Sequence, residues 1–177
     1  MITSIEKAAL AINELKKTAA DEVDRDKLPY RPSSEVLISG GHNRVVVRDA
    51  GSYMEFPGGG IEEGESPIEA AAREVLEETG IKVENLKKIK RIKFDWPAGW
   101  IKNTYDKKMY EKFRGKEVHL FTGEIGSIGR PTSKEGDAWN GVPMLPVKGV
   151  IEKLTKPQKD PNRTKYNLER AAELSLM

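Results

Sequence analysis

The chain has 177 residues, of which 37% are hydrophobic and 33% are charged, and its formal net charge is +2. This length suits one domain with a substantial apolar core, whereas the near-neutral charge identifies no class of partner. The absence of cysteine excludes disulfides, thiol nucleophiles and zinc–thiolate sites. Since the sequence contains neither a membrane-spanning apolar run nor a signal-peptide core, we expect a soluble cytoplasmic protein without a membrane partner, or one in the host cytoplasm if a phage encodes it.

The first predicted element is an amphipathic helix from Ser4 to about Ala20, because apolar residues recur there at helical spacing. We expect this helix to pack on the domain, although a dimer contact or a partner surface would also suit it. The polar, proline-containing residues that follow it are typical of a linker. The sequence thus divides into an N-terminal helix and linker (1–33), a main domain (34–155), and a basic connection with a C-terminal helix (156–177).

Short runs of strand-forming residues follow the linker and are separated by turn signals. The run Gly-Gly-His-Asn at residues 40–43 predicts a hairpin turn. The predicted strands are Glu35–Ser39, Arg44–Arg48, Tyr53–Phe56, Lys87–Asp95, Glu117–Ile125 and Ala138–Leu145. A terminal helix is predicted over Tyr166–Leu176, after a loose basic connection at residues 155–165.

The most informative run is residues 59–81, which read GGIEEGESPIEAAAREVLEETGI. Ser66 predicts a helix N-cap, Glu69 completes a capping box with it, and Gly80 predicts the helix end. A helix should therefore span about Pro67 to Thr79, with proline at its first position. The predicted apolar stripe of this helix consists of Ile68, Ala71, Ala72, Val75, Leu76 and Thr79.

Three glutamates of this helix, Glu74, Glu77 and Glu78, are spaced so that their side chains stack on one face. Adjacent carboxylates repel one another, whereas a hard divalent cation such as Mg²⁺ gives a reason to group them. Arg73 lies one turn from Glu77, and the glycine run at 57–60 allows peptide groups to approach a metal or phosphate. The whole pattern predicts metal-assisted chemistry on a phosphate anhydride, although a solvated acidic helix would explain each glutamate taken singly.

Residues 59–81 match every fixed position of the Nudix box, G-x5-E-x7-R-E-U-x-E-E-x-G-U, in which U is a bulky aliphatic residue. The chain therefore resembles the Nudix hydrolase family, and the order of predicted strands over about residues 34–155 agrees. The resemblance implies an α/β fold, namely an α/β/α sandwich with a mixed β-sheet and a loop-helix-loop metal site. It also implies Mg²⁺-dependent hydrolysis of a nucleoside diphosphate linked to another group, X.

The resemblance also implies the roles of residues in the box. The expected Mg²⁺ ligands are Glu74, Glu77, Glu78 and the carbonyl of Gly59. Arg73 and Glu65 are expected to orient these ligands, so all five charged residues belong to the expected catalytic set. In an oxygen-ligand site of this kind, Mn²⁺ can substitute for Mg²⁺.

A carboxylate after the box is a further catalytic candidate. Glu135 precedes Trp139 and resembles the late carboxylate that binds metal or serves as general base in some Nudix enzymes. Glu117 and Glu124 are weaker alternatives for the same task, and a plain surface role fits Glu135 equally well.

Residues 93–97 (KFDWP) resemble the Tyr-Asp-x-Pro segment of the Nudix branch that acts on diadenosine polyphosphates and RNA 5′ ends. Residues 114–121 (RGKEVHLF) resemble the Gly-Gln-x-x-Lys-x-Phe segment of that branch, with Phe94 in place of tyrosine and Lys116 in place of glutamine. Phe94, Trp96 and Trp100 are candidates for stacking on a base, and Arg114 and Lys116 for holding a distal phosphate. Core burial is the alternative for the aromatic residues.

The first expected substrate is therefore a dinucleoside polyphosphate or an RNA 5′ end, that is, a nucleotide-type molecule. ADP-ribose and damaged nucleoside triphosphates are the alternatives. A non-catalytic nucleotide-sensing module or a structural Nudix-like module would keep the fold without the reaction. A homodimer is compatible with the family resemblance.

Overall fold

The computed structural model describes residues 3–21, 24–133 and 138–177, and within these ranges the chain forms both strands and α-helices. The strands are β1 (Arg31–Ser39), β2 (Arg44–Val46), β3 (Arg48–Asp49), β4 (Met54–Glu55), β5 (Ile81–Asp95), β6 (Gly115–Ile128) and β7 (Met144–Pro146). The helices are α1 (Ser4–Asp21), α2 (Pro67–Thr79), α3 (Thr104–Lys112), α4 (Val147–Leu154) and α5 (Pro161–Leu174). None of the helices in these ranges is long and apolar enough to span a bilayer.

These elements form two compact units, Met1–Arg31 with Lys93–Lys116, and Pro32–Ile92 with Glu117–Met177. The first unit contains α1 and α3, which contact each other. The helix α1 forms as predicted, but Ile5 of its apolar stripe is 80% exposed. The expected packing of that stripe is therefore wrong at this position. The division into the segments 1–33, 34–155 and 156–177 stays a prediction.

The second unit is built on a mixed five-stranded sheet with the order β5-β6-β1-β2-β7. Strand β2 pairs antiparallel with β1, where Ile38 faces Val46, and with β7 on its other side. The turn between β1 and β2 is the hairpin predicted at residues 40–43. A separate two-stranded ribbon of β3 and β4 leads the chain toward the glycine run at 57–60.

One face of this sheet carries the hydrophobic core beneath α2. Val36 of β1 and Phe121 of β6 belong to the same buried cluster as Ala71 and Val75 of α2. Because successive side chains of a strand point to opposite faces, Glu35 points to the other face, where side chains of α5 contact it. The sheet thus lies between two helical layers, and the predicted α/β/α class is confirmed.

Several predicted boundaries are wrong. Strand β5 begins at Ile81 rather than at residue 87, and β1 begins at Arg31, inside the segment predicted to be a linker. Within 138–145, the described chain is strand only from Met144 onward. In α2, Ile68 and Leu76 of the predicted apolar stripe are 45% and 40% exposed, because the helix buries a narrower face.

Candidate metal centre

The helix α2 is fixed at both ends by the residues that the sequence singled out. The Ser66 hydroxyl accepts the Glu69 backbone N–H, and the Glu69 carboxylate accepts the Ser66 N–H at 2.9 Å, which completes the predicted capping box. Gly80 ends the helix with a φ of +73° and donates its N–H to the Leu76 carbonyl. The register of the glutamates on this helix is therefore set by its own caps.

Arg73 is the centre of a network of carboxylates. Its guanidinium donates to both oxygens of Glu65, at 2.8 and 2.9 Å, in a bidentate pair. Its Nη1 atom lies 3.1 Å from Glu74 and 3.0 Å from Glu77, and its Nη2 atom donates to the Gly60 carbonyl. One arginine therefore holds three carboxylates of the box and the glycine loop (residues 57–60) in fixed relative positions.

Glu78 belongs to the same helix but is held by a different contact. The backbone N–H of Gly58 donates to its Oε2 atom at 3.0 Å. Gly59 lies against Glu74, since a Cβ atom on Gly59 would come within 2.4 Å of the Glu74 carboxyl group. The glycine loop thus touches two of the predicted ligands. The sequence predicted such an approach from the glycine run, but it did not identify the Gly58 amide as the donor.

The carboxylates of the site have different electrostatic environments. The pKa of Glu78 is raised to about 8, chiefly by burial and also by the nearby Glu74 and Glu55, while the hydrogen bond from Gly58 opposes this shift. Burial also raises the pKa of Glu74, against the opposing charge of Arg73. The hydrogen bonds from Arg73 instead lower the pKa of Glu65. Two of the predicted ligands are therefore carboxylates whose ionised forms are poorly stabilised by the protein alone.

The donor set is chemically suited to a hard cation. Carboxylate oxygens and a peptide carbonyl are the ligands that Mg²⁺ prefers, and a nearby cation would favour the ionised forms of Glu74 and Glu78. Within residues 3–21, 24–133 and 138–177, however, no three histidine or acidic side chains already converge as a metal site. Arg73 makes close contacts with Glu65, Glu74 and Glu77 in this arrangement. A cation would therefore have to share these carboxylates with Arg73.

The described residues on either side of Glu135 bond to the backbone of α2. The N–H of Thr132 donates to the Glu77 carbonyl at 3.1 Å, and the N–H of Trp139 donates to the Glu78 carbonyl at 2.7 Å. Glu135 itself lies outside the described residues, so its predicted role stays a prediction. Thr132 and Trp139, on either side of the undescribed residues, thus both bond to the backbone of predicted metal ligands.

The alternative carboxylates on β6 have other partners. Glu117 pairs with Arg91 at 3.2 Å and lies 3.5 Å from the Nε2 atom of His119. Glu124 accepts a hydrogen bond from Asn85 at 2.8 Å. Both are thus engaged on the sheet, which favours a structural role for them.

The predicted base-stacking residues lie together in the first unit. Trp96 is 4% exposed and belongs to a buried cluster with Ile101 and Tyr110, against which Phe94 and Trp100 pack. The Trp96 and Trp100 rings stack with centroids 4.0 Å apart and an angle of 8° between their planes. Because its ring is buried and one face is covered, Trp96 is a core residue in this structure, which argues against its predicted stacking on a base.

The predicted phosphate-binding cations are also in the first unit. Arg114 forms a bidentate pair with Asp95, with both N–O distances at 2.9 Å, and its Nη1 atom lies 3.0 Å from Asp26. This pair lowers the pKa of Asp95. Lys116 is half-buried at the start of β6. The roles of Arg114 and Lys116 in substrate binding stay predictions, and Arg114 would have to bind a phosphate while it is paired with carboxylates.

Replacing Trp96 by alanine is expected to destabilise the first unit by about 3–5 kcal/mol, because it deletes a large buried ring. Trp100→Ala, at a half-buried position on the same stack, is the matched control and should cost less. Thermal unfolding followed by tryptophan fluorescence would measure both. An unchanged unfolding midpoint for Trp96→Ala, together with a raised KM, would return Trp96 to the substrate site.

Comparison with known proteins agrees with the resemblance in the box. The model of the family described as NUDIX domain matches residues 29–164. An RNA pyrophosphohydrolase of Sphingopyxis alaskensis is 35% identical over 146 residues, which cover 77% of this chain and 90% of that protein. An RNA pyrophosphohydrolase of Bartonella clarridgeiae is 29% identical over 154 residues, which cover 76% of this chain and 88% of that protein.

Solved structures of low sequence identity share the fold. A NUDIX hydrolase from Nitrosomonas europaea matches with a TM-score of 0.54 at 16% identity, covering 83% of this chain and 88% of that one. A crystal structure of an ADP compounds hydrolase matches with a TM-score of 0.52 at 21% identity, covering 83% of this chain and 74% of that one. At these identities the likeness concerns the fold alone.

The chain belongs to the Nudix hydrolase family. The predicted family and enzyme class, a hydrolase of phosphoric anhydrides, are confirmed at this level. Members of the family generally use divalent metal ions. The carboxylate oxygens of Glu74 and Glu78 and the carbonyl oxygen of Gly59 are ligands suited to such an ion.

Proposed function

We propose that this protein is a Mg²⁺-dependent pyrophosphohydrolase that acts on the phosphorylated 5′ end of RNA. The observation that carries the proposal is the likeness to proteins named RNA pyrophosphohydrolase, which extends over nine-tenths of the length of one of them, the Sphingopyxis alaskensis protein. The segments at 93–97 and 114–121 resemble the same branch of the family. A cytoplasmic location belongs to this proposal.

In the proposed site, Glu74, Glu77 and Glu78 hold Mg²⁺ together with the Gly59 carbonyl, and Mn²⁺ substitutes for it. When bound, the cation lowers the pKa of a ligated water and offsets charge on the leaving phosphate. The carbonyl of Gly59 accepts the Ser34 N–H and keeps a second lone pair for a ligand.

The remaining groups of the box hold the ligands in place. Arg73 fixes the rotamers of Glu74 and Glu77 while Glu65 holds Arg73 by its bidentate pair. In the reaction, the oxygen of water forms a bond to one phosphorus of the anhydride and the bridging P–O bond breaks. The proton lost by water passes to a base, for which we propose Glu135, because the residues on either side of its segment bond to the backbone of Glu77 and Glu78.

A substrate panel with Mg²⁺ tests the proposal, with the products separated by chromatography. The panel contains a 5′-triphosphate RNA, a diadenosine polyphosphate, ADP-ribose and a nucleoside triphosphate, each also incubated with the Glu78→Gln variant. We expect the RNA to have the highest kcat/KM and the variant to lose that cleavage. Faster cleavage of ADP-ribose or of the diadenosine polyphosphate would replace the proposed substrate while keeping the enzyme class.

A panel without cleavage of any substrate would favour the sensing or structural alternatives. Binding of the same nucleotides, measured by calorimetry, would then separate these two. The predicted homodimer is a separate proposal, and light scattering of the full chain would test it.

A further inference from the structure

The first observation concerns a buried cation on α5. Arg170 is 2% exposed, and its Nη1 atom lies 3.4 Å from both oxygens of Glu35 and 3.4 Å from the carbonyl oxygen of Met54. Its Nη2 atom donates to the Asn167 side chain at 2.6 Å. Glu35 is on β1 and Met54 is on β4. One guanidinium of the terminal helix therefore contacts the two strands that lie beside the glycine loop.

Aromatic rings complete this contact. The Tyr166 hydroxyl donates to Glu35 at 2.7 Å, and burial raises the pKa of Tyr166 well above its usual value, so the phenol remains a donor. The Arg170 guanidinium lies over the Phe56 ring at 5.0 Å and over the Tyr166 ring at 4.3 Å. Phe56 is the residue directly before the glycine loop at 57–60. The cluster of Arg170, Tyr166 and Glu35 is called the α5 clamp below. It thus contacts β4, which leads into the glycine loop, and β1, which lies beside the loop.

The second observation links Glu35 to the loop through the backbone. Its neighbours Ser34 and Val36 donate their N–H groups to the carbonyls of Gly59 and Pro57, both at 2.9 Å. Between them, Gly58 lies so close to β1 that a Cβ atom would be 2.7 Å from the Glu35 Cα atom. The position of the loop is therefore set by the position of Glu35.

The loop in turn contacts the proposed ligands, because the Gly58 N–H donates to Glu78 and Gly59 packs against the Glu74 carboxyl group. A continuous series of contacts joins Arg170 to both glutamates. Every member of this series lies in the second unit.

Attachment of α5 to the sheet does not by itself explain the clamp. The Nε atom of Arg170 is buried without a hydrogen-bond partner among the described residues, and a buried cation of this kind adds little to stability compared with an apolar residue. At the β5 edge of the sheet, Lys90 already pairs with Glu169 and Glu173 of α5. The family match ends at residue 164, before the α5 members of the clamp.

We propose that Arg170 and Tyr166 are positioning residues of the metal centre, which hold Glu35 and β4 so that the glycine loop presents Gly58 and Gly59 to the ligands. The proposal rests on the proposed function for the identity of the ligands. It predicts that loosening the clamp weakens metal binding without removing any ligand.

The test compares Tyr166→Phe and Arg170→Met with two control variants on the same helix. Glu173→Gln weakens the pairing of α5 with Lys90 on β5, and Leu174→Ala truncates a side chain that is 1% exposed, so both loosen the attachment of α5 without removing a group of the clamp. Amide hydrogen exchange of Gly58 and Gly59 is measured by NMR in the metal-free protein. Binding of Mn²⁺ is measured by electron paramagnetic resonance on the same samples, without substrate.

For the two clamp variants we expect faster exchange at Gly58 and about ten-fold weaker Mn²⁺ binding, the lower end of the usual effect of a group that orients metal ligands. Both control variants should leave the two readouts within about two-fold of the wild-type values. At saturating Mn²⁺, KM for the nucleotide substrate should be unchanged, because no substrate contact is removed.

Two results would overturn the clamp. One is unchanged Gly58 exchange and Mn²⁺ binding in both clamp variants. The other is an effect of Leu174→Ala on both readouts as large as that of the clamp variants, which would show that the cluster only stabilises α5. Failure of the proposed metal site gives a different result, since the wild-type protein itself would then bind no Mn²⁺, whereas a different substrate would leave both readouts unchanged.

Discussion

Replacing Glu77 or Glu78 by glutamine is expected to reduce kcat by about 10³-fold, because stabilisation of transition-state charge by a metal ion amounts to several kcal/mol. Each change removes one negative charge and keeps the size of the side chain. In the Glu78→Gln variant, the oxygen of the new amide can still accept the Gly58 N–H that bonds to the carboxylate in the wild-type protein. The loss should therefore reflect the metal ligand rather than the fold.

Steady-state kinetics across a Mg²⁺ titration would measure this effect. The matched control is Glu69→Gln, which makes the same chemical change on the same helix, where glutamine still completes a capping box. Its turnover should stay close to the wild-type value. Near-wild-type turnover of Glu77→Gln or Glu78→Gln would show that the ligand assignment is wrong.

The metal-free protein gives a second readout for Glu78→Gln. Because the folded protein raises the pKa of Glu78 to about 8 from its ordinary value of 4.5, ionisation of this group opposes folding. The contribution of Glu78 to stability is thus greatest below pH 4.5 and falls as the pH rises toward 8. Without metal at pH 8, Glu78→Gln should melt at a higher temperature than the wild-type protein. A lower melting temperature would indicate that the carboxylate has a stabilising partner.

The site helix was predictable because its signals are local. Ser66, Glu69 and Gly80 act within one turn of the ends of α2, so their positions in the sequence determine both ends. The spacing of Glu74, Glu77 and Glu78 likewise needs no information beyond the helix itself. The box and its helix could therefore be identified before the fold was known.

Elements that depend on tertiary packing were not predictable in this way. Helices α3 and α4 have only nine and eight residues, and short helices owe their stability mainly to the surfaces on which they pack. The apolar pattern of α2 did not reveal which face the sheet covers, and so Ile68 and Leu76 were misassigned. The α5 clamp joins Arg170 to Glu35 across 135 positions, and no spacing rule predicts such a pair.

Gly58→Ala is expected to lower the stability of the protein strongly, because the backbone at this position admits no side chain. Its φ is +152°, and a Cβ atom would lie 2.3 Å from the Ser34 carbonyl oxygen. To relieve that contact, the loop must move away from β1, which would break the hydrogen bonds between Val36 and Pro57 and between Ser34 and Gly59. Backbone strain and the two lost bonds together should cost about 3–5 kcal/mol.

For a protein of this length, that loss corresponds to a fall in Tm of roughly 6–20 °C, measurable by calorimetry. Gly64→Ala is the matched control, since Gly64 has a φ of +81° but no atom within 4 Å of the added Cβ. It should cost only about 1–2 kcal/mol, the usual penalty for a left-handed residue with a side chain. The difference between the two variants isolates the contact of the loop with β1. Equal Tm values would show that the loop can move away from β1 at little cost. The contact of the loop with β1 would then not fix the position of Glu78 in the metal centre.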